Sequence, residues 1–246
     1  MNDAGAMTDA EWKARQDLAA TYRIFAMMGW DELIYTHITV KVPGEDGAFL
    51  INPFGLQFSE VTASNLVKID IDGNKLCGSS HRVNKAGFVQ HSVFHRHLPD
   101  ANCIVHTHTT AIAAVCCTKG GLQPVNFYAC GFMGKLSYHD FEGVTVREDE
   151  GERLIANLGD NRVLMLRNHG AVVIGESLAG TLVQYWALQR ACEIQLATMQ
   201  AGEAITIPQE VIDVHQRDLH MTCENGTAEF DSWVRQIDKI DTSWRT

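Results

Sequence analysis

The chain has 246 residues, of which 46% are apolar and 20% are charged, so it can bury a large core in one domain. Its formal net charge of -10, with 20 lysines and arginines scattered along the chain, disfavours nucleic acid and anionic membranes as partners. The apolar run at residues 24–28 is far too short to span a bilayer, and residues 1–9 lack the pattern of a signal peptide. We therefore expect a cytoplasmic protein whose partner is a small molecule.

The first half of the chain alternates between helical and strand patterns of apolar residues. Thr8 stands three residues before Glu11, as in a capping box, and Gly29 suits the end of the helix that follows. Thr109 or Thr110 can cap a later helix. The pattern predicts helices at about residues 9–28, 84–97 and 111–117, and strands at 37–42, 49–51, 67–71 and 103–108.

The second half continues this alternation. Residues 163–166 are all apolar, as in a strand covered on both faces, and a polar segment at 168–170 precedes a second apolar run at 171–174. We predict helices at about residues 148–158, 177–200, 208–220 and 229–240. The mixture of strands and helices predicts an α/β fold.

Three histidines have the spacing of a metal site. His106 and His108 are two residues apart in a predicted strand, so their imidazoles face the same side and can share one ion. Catalytic metal sites commonly use three protein ligands and keep one position open. His169, in the polar break between two apolar runs, is the best supplier of the third nitrogen. We predict that His106, His108 and His169 hold one divalent metal ion.

Other interpretations of the histidines stay open. His106 and His108 can be hydrogen-bonded polar residues at a strand end, and His169 taken alone is more often structural. His91 and His95 lie one turn apart on a predicted helix, which is also a valid spacing for one metal ion. The pair lacks the glutamate of an H-E-x-x-H protease motif, because Ser92 follows His91.

Other common catalytic signatures are missing from the sequence. It contains no G-x-S-x-G elbow, no Walker P-loop and no strand-linked G-x-G-x-x-G. Nucleophilic hydrolysis, nucleotide hydrolysis and dinucleotide redox chemistry therefore lack support, and no residues are assigned to an organic cofactor. Metal chemistry remains.

Several ordered segments resemble the class II aldolase and adducin family. They are NKAGFVQH at 84–91, PDAN at 99–102, HTH at 106–108 and RNHGAVVIG at 167–175. Two earlier segments, INPFG at 51–55 and SEVTAS at 59–64, are similar to the non-sugar-phosphate, adducin-like branch of that family. The resemblance covers roughly residues 10–205.

This resemblance implies a three-layer α/β/α sandwich with a central, mostly antiparallel sheet, often assembled as a homotetramer with sites at subunit interfaces. It implies a metal-binding domain at residues 1–205, with residues 206–246 as a helical extension of the same domain. The family's three metal ligands fall on His106, His108 and His169. They bind zinc or a similar divalent ion, with manganese and iron as alternatives, and the ion stabilises the enediolate formed when a carbon–carbon bond breaks.

Two positions depart from the family pattern. Sugar-phosphate aldolases carry a catalytic glutamate at the position that falls on Gly87, so this proton-transfer residue is missing. Their Gly-Asn phosphate-binding turn falls near Thr36 and His37, where a branched residue and an imidazole replace the glycine that lets backbone approach a phosphate. We therefore expect a substrate without a phosphate group.

Three other side chains are candidates for proton transfer or substrate contact. His91, one turn beyond Gly87, could act as a base or support the site, or could simply bond a backbone carbonyl. Tyr128 lies near the position where family aldolases supply a tyrosine acid from a neighbouring subunit, or is a half-buried strand residue. His37 could contact an anionic substrate group, or could be a surface histidine.

Three functions fit these features. The first is a metal-dependent lyase that cleaves a carbon–carbon bond of a small non-phosphorylated hydroxy or keto acid, by decarboxylation or retro-aldol cleavage. Decarboxylation fits the absence of the glutamate better, because its first step removes no proton. The alternatives are a non-heme iron oxygenase on the same three histidines and a non-catalytic, adducin-like assembly module.

Overall fold

The computed structural model describes residues 7–143, 149–222 and 225–246, with all side chains in these ranges except those of residues 85, 86 and 220–222. The strands are β1 (His37–Lys41), β2 (Ala48–Ile51), β3 (Val67–Asp70), β4 (Cys103–Thr107), β5 (Ser137–His139), β6 (Val163–Leu166) and β7 (Gly170–Gly175). The helices are α1 (Asp9–Met28), α2 (Lys85–His97), α3 (Thr110–Cys116), α4 (Phe127–Cys130), α5 (Asp149–Leu158), α6 (Leu178–Ala201), α7 (Gln209–Thr222) and α8 (Thr227–Ile240).

Local capping chemistry places the first helices as the sequence predicts. The Thr8 hydroxyl accepts a hydrogen bond from the Glu11 backbone N–H at 3.1 Å, and Gly29 ends α1 with a left-handed φ of 68°. Asn84 caps α2 by accepting from the Gly87 backbone N–H at 3.4 Å. Glu148, the predicted start of the helix observed as α5, lies outside the described residues, as do residues 1–6 of the predicted domain.

The structure differs from the sequence prediction in three places. Thr109 precedes α3 without a capping bond from its side chain, because its hydroxyl donates to Gln189 instead, at 2.6 Å. The short helix α4 and strand β5 were not predicted. Asn126 starts α4 by accepting from the Ala129 N–H at 3.0 Å, and a helix of four residues is too short to show a period. The three residues of β5 are likewise too few to show the alternating pattern of a strand.

The seven strands form one sheet in the order β3-β2-β1-β4-β7-β6-β5. Only the β5–β6 pair is parallel; the other five neighbouring pairs are antiparallel, as predicted. The α/β class is confirmed. In the centre of the sheet, His37 of β1 lies opposite His106 of β4.

Apolar side chains cover both faces of the sheet, because neighbouring residues of a strand point in opposite directions. On one face, Val105 and Val173 pack with Leu182 of α6 in the larger core cluster. On the other face, Ile104 packs with Phe94 of α2 and with residues of α5. Helices therefore hold the central strands from two sides.

The segment after residue 205 packs against the same core. Helix α8 contacts α1 and α6, and α7 contacts α4. The Trp244 carbonyl accepts a hydrogen bond from the Ala63 N–H at 2.9 Å, and the Trp244 side chain is buried. No helix within the described ranges is long and apolar enough to cross a membrane.

A buried ion cluster fastens α1 to the segment before β3. Arg15 and Glu11 are each 3% exposed, and Arg15 Nε donates to Glu11 Oε1 at 2.9 Å. Arg15 Nη1 also donates to the Leu66 carbonyl at 2.8 Å, and Lys68 Nζ donates to Glu11 Oε2 at 3.0 Å. Burial opposes ionisation of Glu11, but the bonds from Lys68 and Arg15 outweigh it and lower its pKa below the ordinary value.

Replacing Arg15 by methionine should lower the free energy of unfolding by about 3 kcal/mol, because it leaves the buried Glu11 carboxylate and the carbonyls of Ala63 and Leu66 short of donors. Urea denaturation measures this. The matched control is Lys13→Met, which breaks an exposed pair with Asp17 on the same helix and should cost less than about 0.5 kcal/mol. Equal losses in the two variants would contradict the stabilising role of the buried cluster.

Candidate metal centre

Three imidazoles converge at one edge of the sheet. His106 lies in β4, His108 directly follows β4, and His169 lies in the turn between β6 and β7. His108 Nε2 is 2.9 Å from His106 Nε2 and 2.9 Å from His169 Nε2. Candidate ligand atoms of all three residues lie within 4.8 Å of one another, so they can share one ion. The structure thus brings together the three residues that the sequence selects as ligands.

The turn before β7 allows this close approach. Asn168 has a left-handed φ of 57°, and a Cβ atom at Gly170 would lie 2.4 Å from the Thr107 carbonyl oxygen. Only glycine fits there without moving the backbone. Gly170 therefore lets the turn that carries His169 lie against the end of β4.

Hydrogen bonds at Nδ1 direct two of the imidazoles. His106 Nδ1 donates to the Ala171 carbonyl at 3.0 Å, and His108 Nδ1 donates to the Glu32 carboxylate at 2.6 Å. When the imidazoles are neutral, both Nε2 atoms therefore carry lone pairs, and two lone pairs at 2.9 Å cannot bond each other. A cation between them satisfies both, and a carboxylate behind a ligand histidine is a recurring feature of metal sites. The three residues fit a divalent ion.

Burial keeps two of these rings neutral. Desolvation, followed by the nearby imidazoles, lowers the pKa of His106 well below its ordinary value. Desolvation and then His108 lower the pKa of His169 to about 4. Metals bind the neutral form of histidine, so the burial of these two residues favours the binding state at neutral pH.

The three histidines open into a cavity of about 620 Å³. Its described lining includes one carboxylate, Glu32, and neither lysine nor arginine. Its polar wall, formed by Thr36 and His37 before and at the start of β1 and by Gln90 of α2, is buried. The cavity is large enough for a small organic substrate.

His37 fills the space next to Gly87. A Cβ atom at position 87 would lie 1.9 Å from both Cδ2 and Nε2 of the His37 ring. The His37 side chain is buried rather than on the surface, and its ring centroid is 5.4 Å from that of His106. Desolvation, the largest cause, lowers the pKa of His37 to about 4. The imidazole at 37 and the glycine at 87 therefore depend on each other sterically.

Thr36 has a strained backbone. Its φ of 65° lies in the left-handed region, which is rare for a β-branched residue, and its hydroxyl is buried without a hydrogen-bond partner in the described structure. Such strain is often found at functional sites. The residue lies in the wall of the metal cavity.

His91 and His95 do not form a second metal pair. Both rings bond the same hydroxyl, that of Thr39 in β1, at 2.7 Å from His91 Nδ1 and 2.8 Å from His95 Nε2. The His91 ring contacts His37, with ring centroids 4.3 Å apart. His91 thus lies behind His37, away from the cavity lining.

Tyr128 is not part of this cavity within the chain. It lies in α4, and its ring packs edge-on against Phe127 and Trp186. Its side chain is half-buried, as the alternative interpretation expects, but it lies in a helix, so the strand assignment is wrong. Its predicted role as an acid for a neighbouring subunit stays a prediction.

Four residues of this region were not predicted from the sequence: Glu32, Thr36 as a lining residue, Thr39 and Gln90. Gln90 is three residues beyond Gly87 on the same helix face, so its helical spacing could have indicated it. Glu32 lies in an irregular segment 76 positions before its partner His108, and no local pattern could have indicated it.

The α/β fold with three convergent imidazoles defines a candidate histidine-ligated metal protein. The sequence of residues 16–196 matches the family model described as the Class II Aldolase and Adducin N-terminal domain. The chain belongs to the class II aldolase and adducin family, as its motifs predict. This family includes the class II aldolases, which are lyases that use a divalent metal ion.

Known proteins of this family resemble most of the chain. An aldolase II superfamily protein from Pseudomonas syringae is 39% identical, with a TM-score of 0.94 over 98% of each chain. L-Fuculose 1-phosphate aldolase from Glaciozyma antarctica PI12 is 25% identical, with a TM-score of 0.83 over 98% of this chain and 94% of that one. Rat α-adducin is 45% identical over 204 residues, which are 82% of this chain but 28% of adducin.

Replacing Glu32 by glutamine should weaken zinc binding about 10–100-fold. The glutamine amide would hold the His108 ring less firmly than the carboxylate does, and it would raise the basicity of that ring less. Alanine at His108 should weaken zinc binding further by removing a ligand. Competition with a chelator, followed by elemental analysis, measures both. His97→Ala is the matched control, since His97 is an exposed histidine on α2. Unchanged zinc affinity in His108→Ala would contradict the three-histidine centre.

Proposed function

We propose that the protein is a metal-dependent lyase that cleaves a carbon–carbon bond of a small, non-phosphorylated hydroxy or keto acid. The main support is the convergence of His106, His108 and His169, with the lone pairs of two rings directed toward a common point. A divalent ion bound there supplies a Lewis acid that stabilises the negative charge developing on a substrate oxygen.

The cavity lining supports the absence of a phosphate group. Phosphate sites commonly use lysine, arginine or an open run of backbone N–H groups. The described lining has neither lysine nor arginine, and the Thr36 side chain stands at the strained turn before β1. A small acid with one carboxylate suits the two positive charges of the ion, one of which Glu32 offsets.

The missing side chain at position 87 favours decarboxylation over retro-aldol cleavage. When the acid also carries a carbonyl group, the electron pair left by loss of carbon dioxide would pass to that carbonyl oxygen, which an ion held by the three histidines would polarise. No proton has to be removed first, so no base at Gly87 is needed. His37, which lines the cavity, is the proposed substrate contact, and His91 behind it is the proposed supporting base. Retro-aldol cleavage would use His37 to accept the hydroxyl proton.

A non-catalytic assembly module is the second candidate, because the match to α-adducin covers 82% of this chain. The bonds that direct His106 and His108 argue for the enzyme, since a module without metal has no need of them.

We also propose zinc as the ion and a three-layer α/β/α sandwich as the architecture. We further propose a homotetramer, in which Tyr128 serves a neighbouring site, and a cytoplasmic location.

Zinc-loaded protein should release carbon dioxide or a carbonyl product from at least one member of a panel of small hydroxy and keto acids. Removing the metal with a chelator should lower the rate at least about 100-fold, and added zinc should restore it. His169→Ala should behave like the metal-free protein, and His97→Ala like the original. Turnover that persists without metal would contradict the lyase proposal.

The same panel separates the alternatives. Oxygen consumption by iron-loaded protein would favour an oxygenase on the same ligands. Full zinc occupancy without turnover of any acid, together with stable self-assembly, would favour the adducin-like module.

A further inference from the structure

A row of buried polar groups extends from the cavity into the protein between β1 and α2. It contains His37, His91, Thr39 and His95, all buried, and ends at the Ala101 carbonyl. His95 Nδ1 lies 2.8 Å from that carbonyl oxygen, and His95 Nε2 lies 2.8 Å from the Thr39 hydroxyl. His91 Nδ1 lies 2.7 Å from the same hydroxyl.

The carbonyl fixes the direction of these bonds, because it can only accept. His95 must therefore carry its proton on Nδ1, and desolvation lowers its pKa to about 3, so its Nε2 has a lone pair. Thr39 must donate its single proton to that lone pair. The Thr39 oxygen then accepts from His91 Nδ1.

The same reasoning leaves a bare nitrogen on His91. Burial lowers the pKa of His91 well below its ordinary value, so the ring is neutral and Nε2 carries a lone pair. This atom is buried and has no hydrogen-bond partner among the described residues, and the same is true of His37 Nδ1. The two rings are in contact, with centroids 4.3 Å apart. The two atoms do not bond each other in the described structure, but a rotation of the His37 ring that paired them would satisfy both.

Gly87 affects the other nitrogen of His37. A Cβ atom at 87 would lie 1.9 Å from His37 Nε2, so the glycine keeps this edge of the ring free of a covering side chain. His37 lines the metal cavity. A proton on Nδ1 would leave Nε2 as an acceptor for a bound molecule.

We propose that these groups form one directional hydrogen-bond chain, in which His37 donates to His91 and the cavity binds its substrate through a hydroxyl group that donates to His37 Nε2. The inference rests on the proposed function and narrows the substrate to acids that carry a hydroxyl group together with the carbonyl that takes up the electron pair of the broken carbon–carbon bond. A keto oxygen offers no proton, so it would face the lone pair of Nε2 without a bond. Thr39 and His95 are positioning residues that act through His91.

The tautomers can be measured without turnover. In zinc-loaded protein, nitrogen-15 NMR of the histidines, assigned by loss of signals in His91→Gln and His95→Gln, should show His91 and His95 protonated on Nδ1. Thr39→Val should remove this preference at His91, and Thr39→Ser should keep it. Thr21→Val is the matched control, because Thr21 is also a buried threonine but bonds the Asp17 carbonyl. A proton on Nε2 of His91 in the original protein would overturn the chain.

Binding of matched acids tests the substrate class. Calorimetry with zinc-loaded protein compares lactate with pyruvate and 3-hydroxybutyrate with acetoacetate. The hydroxy member of at least one pair should bind about tenfold tighter or more, which corresponds to one buried hydrogen bond. This ratio should fall to about threefold or less in Thr39→Val and persist in Thr39→Ser and Thr21→Val.

Equal or tighter binding of the keto member in both pairs, or an unchanged ratio in Thr39→Val, would overturn the inference. If no acid of either pair binds, the ring nitrogen that carries the proton in His91 alone decides whether the proposed hydrogen-bond chain stands. Absence of lyase activity would instead contradict the proposed function, because turnover does not enter the tautomer measurement.

Discussion

Strand β4 lies between β1 and β7, and the backbone hydrogen bonds of these three strands determine where the histidines meet. Pairing with β1 places His106 opposite His37, and pairing with β7 places it opposite Val172, three residues after His169. A slip of one residue in either pair would move the side chains to the opposite face. The apolar clusters on both faces oppose such a slip, because it would bring the buried histidines into the core.

The site contains both hydrogen-bonded polar groups and buried polar groups without a partner in the described structure. The Nδ1 atoms of His106 and His108 are bonded to protein acceptors, which fixes these rings before any ion binds. Thr36 and Gln90, by contrast, line the cavity and each have a buried polar atom without a partner in the described structure. Buried polar atoms are usually satisfied, so their concentration on one wall indicates a place where a bound molecule supplies the partners.

Membership of a family that contains both aldolases and adducins means that the fold alone does not decide the chemistry. The decisive features are local. Glycine at 87 and histidine at 37 form a steric pair, and the threonine before His37 is held in a strained backbone. These features shape the cavity wall beside the ligand His106.

The sequence by itself determined most of the helices and strands and the three candidate ligands. Caps such as Thr8 and Asn84 act within a few residues, and the two-residue spacing of His106 and His108 follows directly from strand geometry. Only the tertiary structure decided that Glu32 supports His108, that His37 is buried against Gly87, and that Thr39 joins His91 to His95. These contacts join segments far apart in the chain, and their geometry depends on sheet register and helix packing, which local sequence patterns do not encode.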